Sequence, residues 1–248
     1  MKKLMQHIGI PGILTIGMML VLIAAPRPAA ADENKLEDAS EKATDAAKVL
    51  RDMMAKDDHA IPDWLLAKAH GIAVIPNTLK GGLGIGGYGG QGLISKKQGN
   101  GWGAPMFVNM GGATFGLQAG AESSDLVLVF TDEKGLDALV KDKVKLGADA
   151  SVAAGPVGRH AEVGTNATMD TAIYSYSESK GLFAGITLEG GVLEIDDSEN
   201  EKVYGKPVDA KAVLAGKSEL KTPAVLQPFE TALEETMTVA KAKAEASN

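Results

Sequence analysis

The sequence predicts an α+β domain. A curved, Gly-rich antiparallel sheet or barrel-like β core is covered by N-terminal, central and C-terminal helices. Three observations carry this. Gly71–Gly120 concentrates glycine in runs such as K-G-G-L-G-I-G-G-Y-G-G-Q-G, where large side chains would not fit strongly bent strands. Asp125–Thr131 and Thr171–Ser177 have the β-branched or alternating character of strands. Asp32–Met54 and Pro223–Ala246 repeat apolar residues every three or four positions, the period of a helix packed by one face.

The chain opens with a targeting segment. Lys2 and Lys3 precede the uncharged stretch Ile8–Ala25, and Ala29-x-Ala31 fits a cleavage site before Asp32. Residues 1–31 are therefore expected to be a signal peptide, with an uncleaved membrane anchor as the alternative. Residues 32–248 form the expected single domain, with a core over 68–205 and flanking helices over 32–67 and 206–248. Removing Lys2, Lys3 and Arg27 from the 25 basic residues leaves 22 against 32 acids, a net charge of −10. That balance opposes nucleic-acid binding and a purely electrostatic hold on anionic lipid. The absence of cysteine excludes disulfides, thiol catalysis and thiolate metal sites.

Taken in order, Asp32–Met54 places Leu36, Ala39, Ala43, Ala46, Ala47, Leu50, Met53 and Met54 on one face. Packing against the domain and lying on a membrane are both compatible with this stripe. The equal mixture of acids and bases opposite favours packing. Pro62–Ala69 reads as a short second helix, with proline in its first turn. Ile72–Ile75 is a buried strand ending at a break at Pro76-Asn77, and Leu83 and Ile85 alternate with glycine, as Phe115, Leu117 and Ala119 do further on. Asp132–Leu146 switches to helical spacing, with Leu136, Leu139, Val140 and Val144 inside and Gly147 as its stop. Strands are expected again within Ala148–Pro156, Arg159–Gly164 and Thr171–Ser177. Gly181–Leu188 should pair back across Glu178-Ser179-Lys180, and Val192–Ile195 closes the β region. Asn200–Gly205 and Ala210–Gly216 suggest short helices, and Val225, Phe229, Leu233 and Met237 share the inner face of the last one.

No pattern supports catalysis. Gly82-x-Gly84-x-x-Gly87 fits a dinucleotide fingerprint, but Tyr88-Gly89-Gly90-Gln91-Gly92 would not sustain the helix that must follow, and no acid stands about 20 residues on. His7, His59, His70 and His160 lack metal-ligand spacing, so no metal is expected. Asp196-x-Ser198-x-Asn200 begins like a calcium loop, but Glu201 and Pro207 stand where it needs glycine and a bidentate acid, leaving a solvated acidic turn. There is no Gly-x-Ser-x-Gly elbow. Neither an enzyme nor a cofactor is expected.

The segments G-I-A-V-I-P-N-T-L-K-G-G-L-G-I-G-G-Y-G-G-Q-G, G-W-G-A-P-M-F, G-L-Q-A-G, D-L-V-L-V-F, Y-S-Y-S-E-S-K-G-L-F-A-G-I-T-L-E-G and D-x-x-x-N-x-x-x-Y-G occur in order between about Lys68 and Gly205. In this the chain resembles the SYLF domain family, departing from it at Leu83, where an aromatic is expected, and Gly103, where serine is common. The resemblance implies a non-enzymatic, phospholipid-binding domain, here exported to the periplasm or beyond. It implies a lipid-contacting N-terminal helix, mapped onto Lys35, Lys42, Lys48 and Arg51 for phosphates, with Leu36, Leu50 and Met54 for the apolar layer. Actin binding by eukaryotic members is not carried over, for want of a basic extension. Lys80, Gly81, Gly82, Gly86, Gly87, Trp102, Ser179, Lys180, Gly181 and Phe183 carry the motifs, either shaping the sheet or lining a ligand. With an unfavourable net charge, affinity should come from apolar burial and depend weakly on salt. The alternative is an envelope protein that recruits protein partners.

Overall fold

A computed structural model describes residues 29–246 except 56, 59, 142, 159–170, 180–181, 187, 189 and 219; the side chains of 29–35, 84, 114–119, 183 and 241–246 also lie outside the described set. Among the described residues eight strands and six α-helices run α1 (Ala29–Ala55), α2 (Asp63–Lys68), β1 (Gly71–Gln98), β2 (Gly101–Trp102), β3 (Met106–Phe130), α3 (Glu133–Lys141), β4 (Lys143–Lys145), β5 (Val152–Ala154), β6 (Ile173–Ser179), β7 (Leu182–Gly185), β8 (Val192–Ile195), α4 (Asp197–Tyr204), α5 (Ala210–Leu214) and α6 (Gln227–Ala246). The strands form one strongly curled sheet, a half-barrel flanked by helices. The α+β expectation holds.

The organising element is a two-stranded ribbon. β1 and β3 pair antiparallel from Gly71↔Phe130 to Ile94↔Met106. Two irregularities bend it. At Pro76-Asn77 the strand bulges rather than breaks: Asn77 has φ 54°, and its backbone N–H donates to Asp125 Oδ1 at 2.7 Å. Asparagine tolerates this left-handed geometry better than most residues, and proline suits a bulge because it lacks a ladder donor. The second bend is sharper. Between Leu83↔Ala119 and Ile85↔Phe115, one residue of β1 faces three of β3. Here β1 doubles back so closely that a Cβ on Gly82 or Gly86 would overlap the backbone of the other's turn, and one on Gly92 would overlap the Val74 carbonyl. The ribbon thus folds over itself, which accounts for the glycine concentration at these positions.

Alternation along the strands builds two cores. Ile72, Val74, Val127, Val129, Tyr174 and Tyr176 meet α1, α2 and α6 on one face. Ile75, Leu126, Leu128, Phe130 and Ile173 meet Leu136 and Leu139 of α3 and Val213 and Leu214 of α5 on the other. Ala39, Ala43, Ala46 and Ala47 let α1 lie close to its neighbours, while Leu50 and Met53 are fully buried. Val225, Phe229, Leu233 and Met237 contribute to the same core, as their shared face predicts.

Several expectations are corrected. The helix over Asp132–Leu146 stops at Lys141, and Lys143-Val144-Lys145 forms β4 against β8, with Val144 buried and both lysines exposed. Its period is two, not 3.6. β5 lies parallel, not antiparallel, to β6. The β6–β7 hairpin is tighter than expected, because Glu178 and Ser179 belong to β6. Asp196 is no solvated turn: it caps α4 by accepting from Glu199 N at 2.9 Å and also accepts from Gln91 and Asn109. Burial favours its neutral form, but these donors outweigh that and hold its pKa below the ordinary carboxylate value. The expected strand at Arg159–Gly164 and the signal segment before Ala29 fall outside the described residues.

Candidate binding groove at the ribbon bend

Approaching the second bend, the face covered elsewhere by α3 and α5 becomes polar and opens. Along β3 it changes from Leu128 and Leu126 to Ser124 and Glu122; along β6, from Ile173 to Ser175, Ser177 and Ser179; along β1, from Ile75 to Thr78 and Lys80. These rows line a cavity of about 430 Å³, with Tyr88, Ala113, Ile186 and Leu188 as its apolar wall. Ser175 Oγ lies 2.5 Å from the Ile186 carbonyl, a hydrogen bond that fastens this wall to β6. Ser179 Oγ donates to Glu122 Oε1 at 2.8 Å, and Glu122 stands directly opposite Lys80. Tyr88 comes from the returning half of β1, and its ring and hydroxyl fill space left by Gly112 and Gly191. Its hydroxyl is buried without a hydrogen-bond partner among the described residues, and burial raises its pKa.

The rim is apolar. Leu79, Leu83, Ile85 and Leu182 are 65, 81, 71 and 69% exposed, and they make up four of the six large exposed hydrophobic side chains among the described residues. Leu83 and Ile85 occupy the bend itself, and Leu182 pairs with Ser179 across the β6–β7 hairpin.

The opposite face of the same rungs carries an acidic pair. Asp125 and Glu178 are cross-strand neighbours. Burial raises the pKa of Asp125, and Glu178 adds to the shift; the Asn77 N–H and Lys48 oppose it. Asn77 Nδ2 also reaches Asp45 Oδ2 at 3.1 Å, so this cluster joins α1 to the first bulge.

The helix residues predicted to contact lipid do not form one free surface. Leu50 is fully buried, and Met54 packs partly buried against the same core. Leu36 is exposed. Lys48 pairs with Asp52, and Arg51 Nε lies 2.7 Å from Glu235 Oε2. Lys42 borders a separate groove with Asp38, Glu41, Asp45 and Glu199, an acidic setting ill suited to phosphate. The Lys35 side chain lies outside the described set. Most of the apolar stripe is therefore occupied by packing, the use its mixed charges favoured.

Among the motif residues, Gly82 and Gly86 shape the bend, whereas Cβ atoms on Gly81 and Gly87 would meet carbonyls at 3.6 and 3.3 Å. Trp102 is buried in the helix-covered core. Lys80 and Ser179 line the groove; Lys180, Gly181 and the Phe183 side chain are not described. The D-x-x-x-N-x-x-x-Y-G segment is structural. Asn200 is fully buried and binds Phe107 through its N–H at 2.7 Å and its carbonyl at 3.2 Å. Tyr204 donates to the Pro105 carbonyl at 2.7 Å, and Gly205 ends α4 at φ 65°.

The groove was missed in the sequence, although Y-S-Y-S-E-S contained a signal. Its serines all fall on one face of a strand, which along β3 runs from Leu128 and Leu126, opposite Ser175 and Ser177, to Ser124 and Glu122. What could not be read was that the ribbon returns to wall them in. Among the described residues there is no cluster of three potential metal-ligating side chains, and no helix is long and apolar enough to cross a membrane.

Comparison with known proteins gives this architecture a family. A model named Ysc84 and described as "Las17-binding protein actin regulator" matches residues 111–236. Protein YSC84 of Saccharomyces cerevisiae is 35% identical over 198 residues, covering 76% of this chain and 42% of the relative. The SH3 domain-containing YSC84-like protein 1 of Rattus norvegicus is 34% identical over 182 residues, covering 71% and 53%. LAS seventeen-binding protein 3 of Saccharomyces cerevisiae is 34% identical over 198 residues, covering 76% and 42%. The chain thus spans about half the length of these relatives. With just over half its own residues matched by the family model, the chain belongs to the Ysc84 family of SYLF-domain proteins.

Proposed function

We propose that this chain is a non-enzymatic binding domain that docks on a phospholipid membrane through the ribbon bend. The observation that carries the reading is the exposure of Leu79, Leu83, Ile85 and Leu182 on the ribbon bend and the strands beside it, next to an amphipathic groove. Large apolar side chains held out on a rigid, glycine-shaped bend gain free energy by entering an acyl layer, roughly 1.5–3 kcal/mol for each one fully buried. Backbone near the bend remains paired in the ribbon, which suits shallow insertion. On this reading α1 supports the domain instead of serving as its membrane anchor. The same proposal places the mature chain outside the cytoplasm after cleavage near Ala31, a point that N-terminal sequencing of the exported protein tests.

Vesicle co-sedimentation of the mature chain and its Leu83→Ser/Ile85→Ser variant tests the membrane contact. Both side chains are exposed, so the variant should melt like the parent. Binding should fall at least tenfold, and the parent's binding should change little with salt because apolar burial dominates. Undiminished binding by the variant would overturn this reading. The family description favours a second one, a protein-recruiting domain, since the family is described as Las17-binding and actin-regulating. A defined protein partner captured by both parent and variant, with no vesicle binding by either, would establish that reading instead.

A further inference from the structure

Resting on the membrane reading, we propose that the groove holds one zwitterionic headgroup of the phosphoethanolamine type, with Lys80 on its phosphate and Glu122 on its primary ammonium. Lys80 and Glu122 occupy one rung of the β1–β3 ribbon, and both line the cavity. Side chains directly opposite in an antiparallel pair start about 4.5–5.5 Å apart at Cβ, so two opposite charges are offered at the spacing of a small dipolar ligand. Among the described residues the Lys80 ammonium has no ion-pair or hydrogen-bond partner. Glu122 is steadied on one oxygen by Ser179, which leaves its other oxygen able to accept a hydrogen bond.

The remaining lining supports the same ligand. Ser124 and Ser177 add hydroxyls beside the charged rung, where they can donate to phosphate oxygens, while the Thr78 hydroxyl donates to the Ile75 carbonyl at 3.2 Å. Tyr88 forms part of the opposite wall with its ring, its hydroxyl being buried beside Gly191. The groove's formal charge from its described lining residues is zero, since one lysine balances one glutamate. A purely anionic headgroup would leave Glu122 facing like charge, whereas a dipolar one satisfies both partners. The choice between ammonium types follows from the aromatic content. Quaternary ammonium is characteristically held in an aromatic cage. Tyr88 is the single aromatic among the described lining residues, while the available acceptors suit a primary ammonium that donates hydrogen bonds.

This geometry also relates the groove to the apolar rim. Leu182 lies opposite Ser179, and Leu79 follows Thr78 on the alternate face of β1. A lipid whose headgroup reaches the Lys80–Glu122 rung would therefore extend its acyl end past Leu182, which shares the groove's face, whereas Leu79 stands on the other face of the ribbon. The same dipolar chemistry occurs in soluble glycerophosphoethanolamine, so lipid and free headgroup can be examined separately.

The test is an amide NMR titration of the mature chain with glycerophosphoethanolamine, glycerophosphocholine and glycerol 3-phosphate. It is repeated on Lys80→Gln and Glu122→Gln, with co-sedimentation on vesicles of phosphatidylcholine with and without phosphatidylethanolamine. Glycerophosphoethanolamine should shift the amides of Ser124, Ser177 and Tyr88 and bind more tightly than the other two probes. Lys80→Gln should weaken it about tenfold, the effect of one lost charge-assisted hydrogen bond. Glu122→Gln should weaken it similarly and abolish its advantage over glycerol 3-phosphate. Vesicle binding without groove shifts would overturn the headgroup site while leaving the membrane reading intact. Groove shifts without vesicle binding would support the site with a soluble ligand and overturn the membrane reading. Equal binding of all three probes, or insensitivity to Glu122→Gln, would refute recognition of the dipole.

Discussion

Replacing Asn200 by alanine tests a buried polar contribution to the fold. Its amide closes a two-point clasp on Phe107: Oδ1 accepts from the backbone N–H at 2.7 Å, and Nδ2 donates to the carbonyl at 3.2 Å. The carbonyl keeps a second donor, Asp196 N at 2.9 Å, but the described bonds provide the N–H with no other acceptor. An unsatisfied buried donor costs about 1–3 kcal/mol. Loss of the second bond and the small void left by the amide bring the expected total to about 2–4 kcal/mol. For a chain of this size each kcal/mol lowers Tm by roughly 2–4 °C, so a decrease of about 4–16 °C is expected. Chemical denaturation should show a lower midpoint with an unchanged slope. A loss below about 0.5 kcal/mol would refute the clasp, because it would mean that water or the relaxed backbone satisfies Phe107 equally well.

Two further perturbations probe the bend and the acidic pair. Gly92→Ala places a methyl group into the Val74 carbonyl and should destabilise the chain by at least about 3 kcal/mol, whereas Gly101→Ala meets no atom and should cost far less; equal melting temperatures would contradict the self-crossing ribbon. Because the folded-state pKa of Asp125 is raised, the folded chain binds that proton more tightly, so its penalty is greatest above the folded pKa and diminishes as pH falls toward the unfolded value. Asp125→Asn keeps an acceptor for Asn77 N and should therefore stabilise the chain at neutral pH, with the advantage shrinking toward pH 4; a constant advantage across that range would exclude proton linkage.

Helix faces and buried strands were legible because each has a local period. The packing of Leu50 and Met53, the continuous burial of Ile72–Ile75 and the inner face of α6 all follow from it. Lys143-Val144-Lys145 misled because three residues adjoining a helix fit its pattern until β8 supplies a partner. Asp196 and Asn200 likewise resembled a solvated acidic turn, because their partners lie 87 to 105 residues away in sequence, at Gln91, Phe107 and Asn109. Glycine density foretold bending, but no local pattern announced which glycine would meet which carbonyl. The groove inherits that nonlocality: its walls are brought together only when the ribbon crosses itself.

The arrangement of the terminal helices has an architectural consequence. α1 and α6 pack together on one face of the sheet, while the groove belongs to the other. Polypeptide joined beyond either helix can therefore leave from the shielded side and keep clear of the groove mouth. The domain is suited to serve as an insert or a terminal module, with neighbouring units free to diversify while the bend presents the same surface.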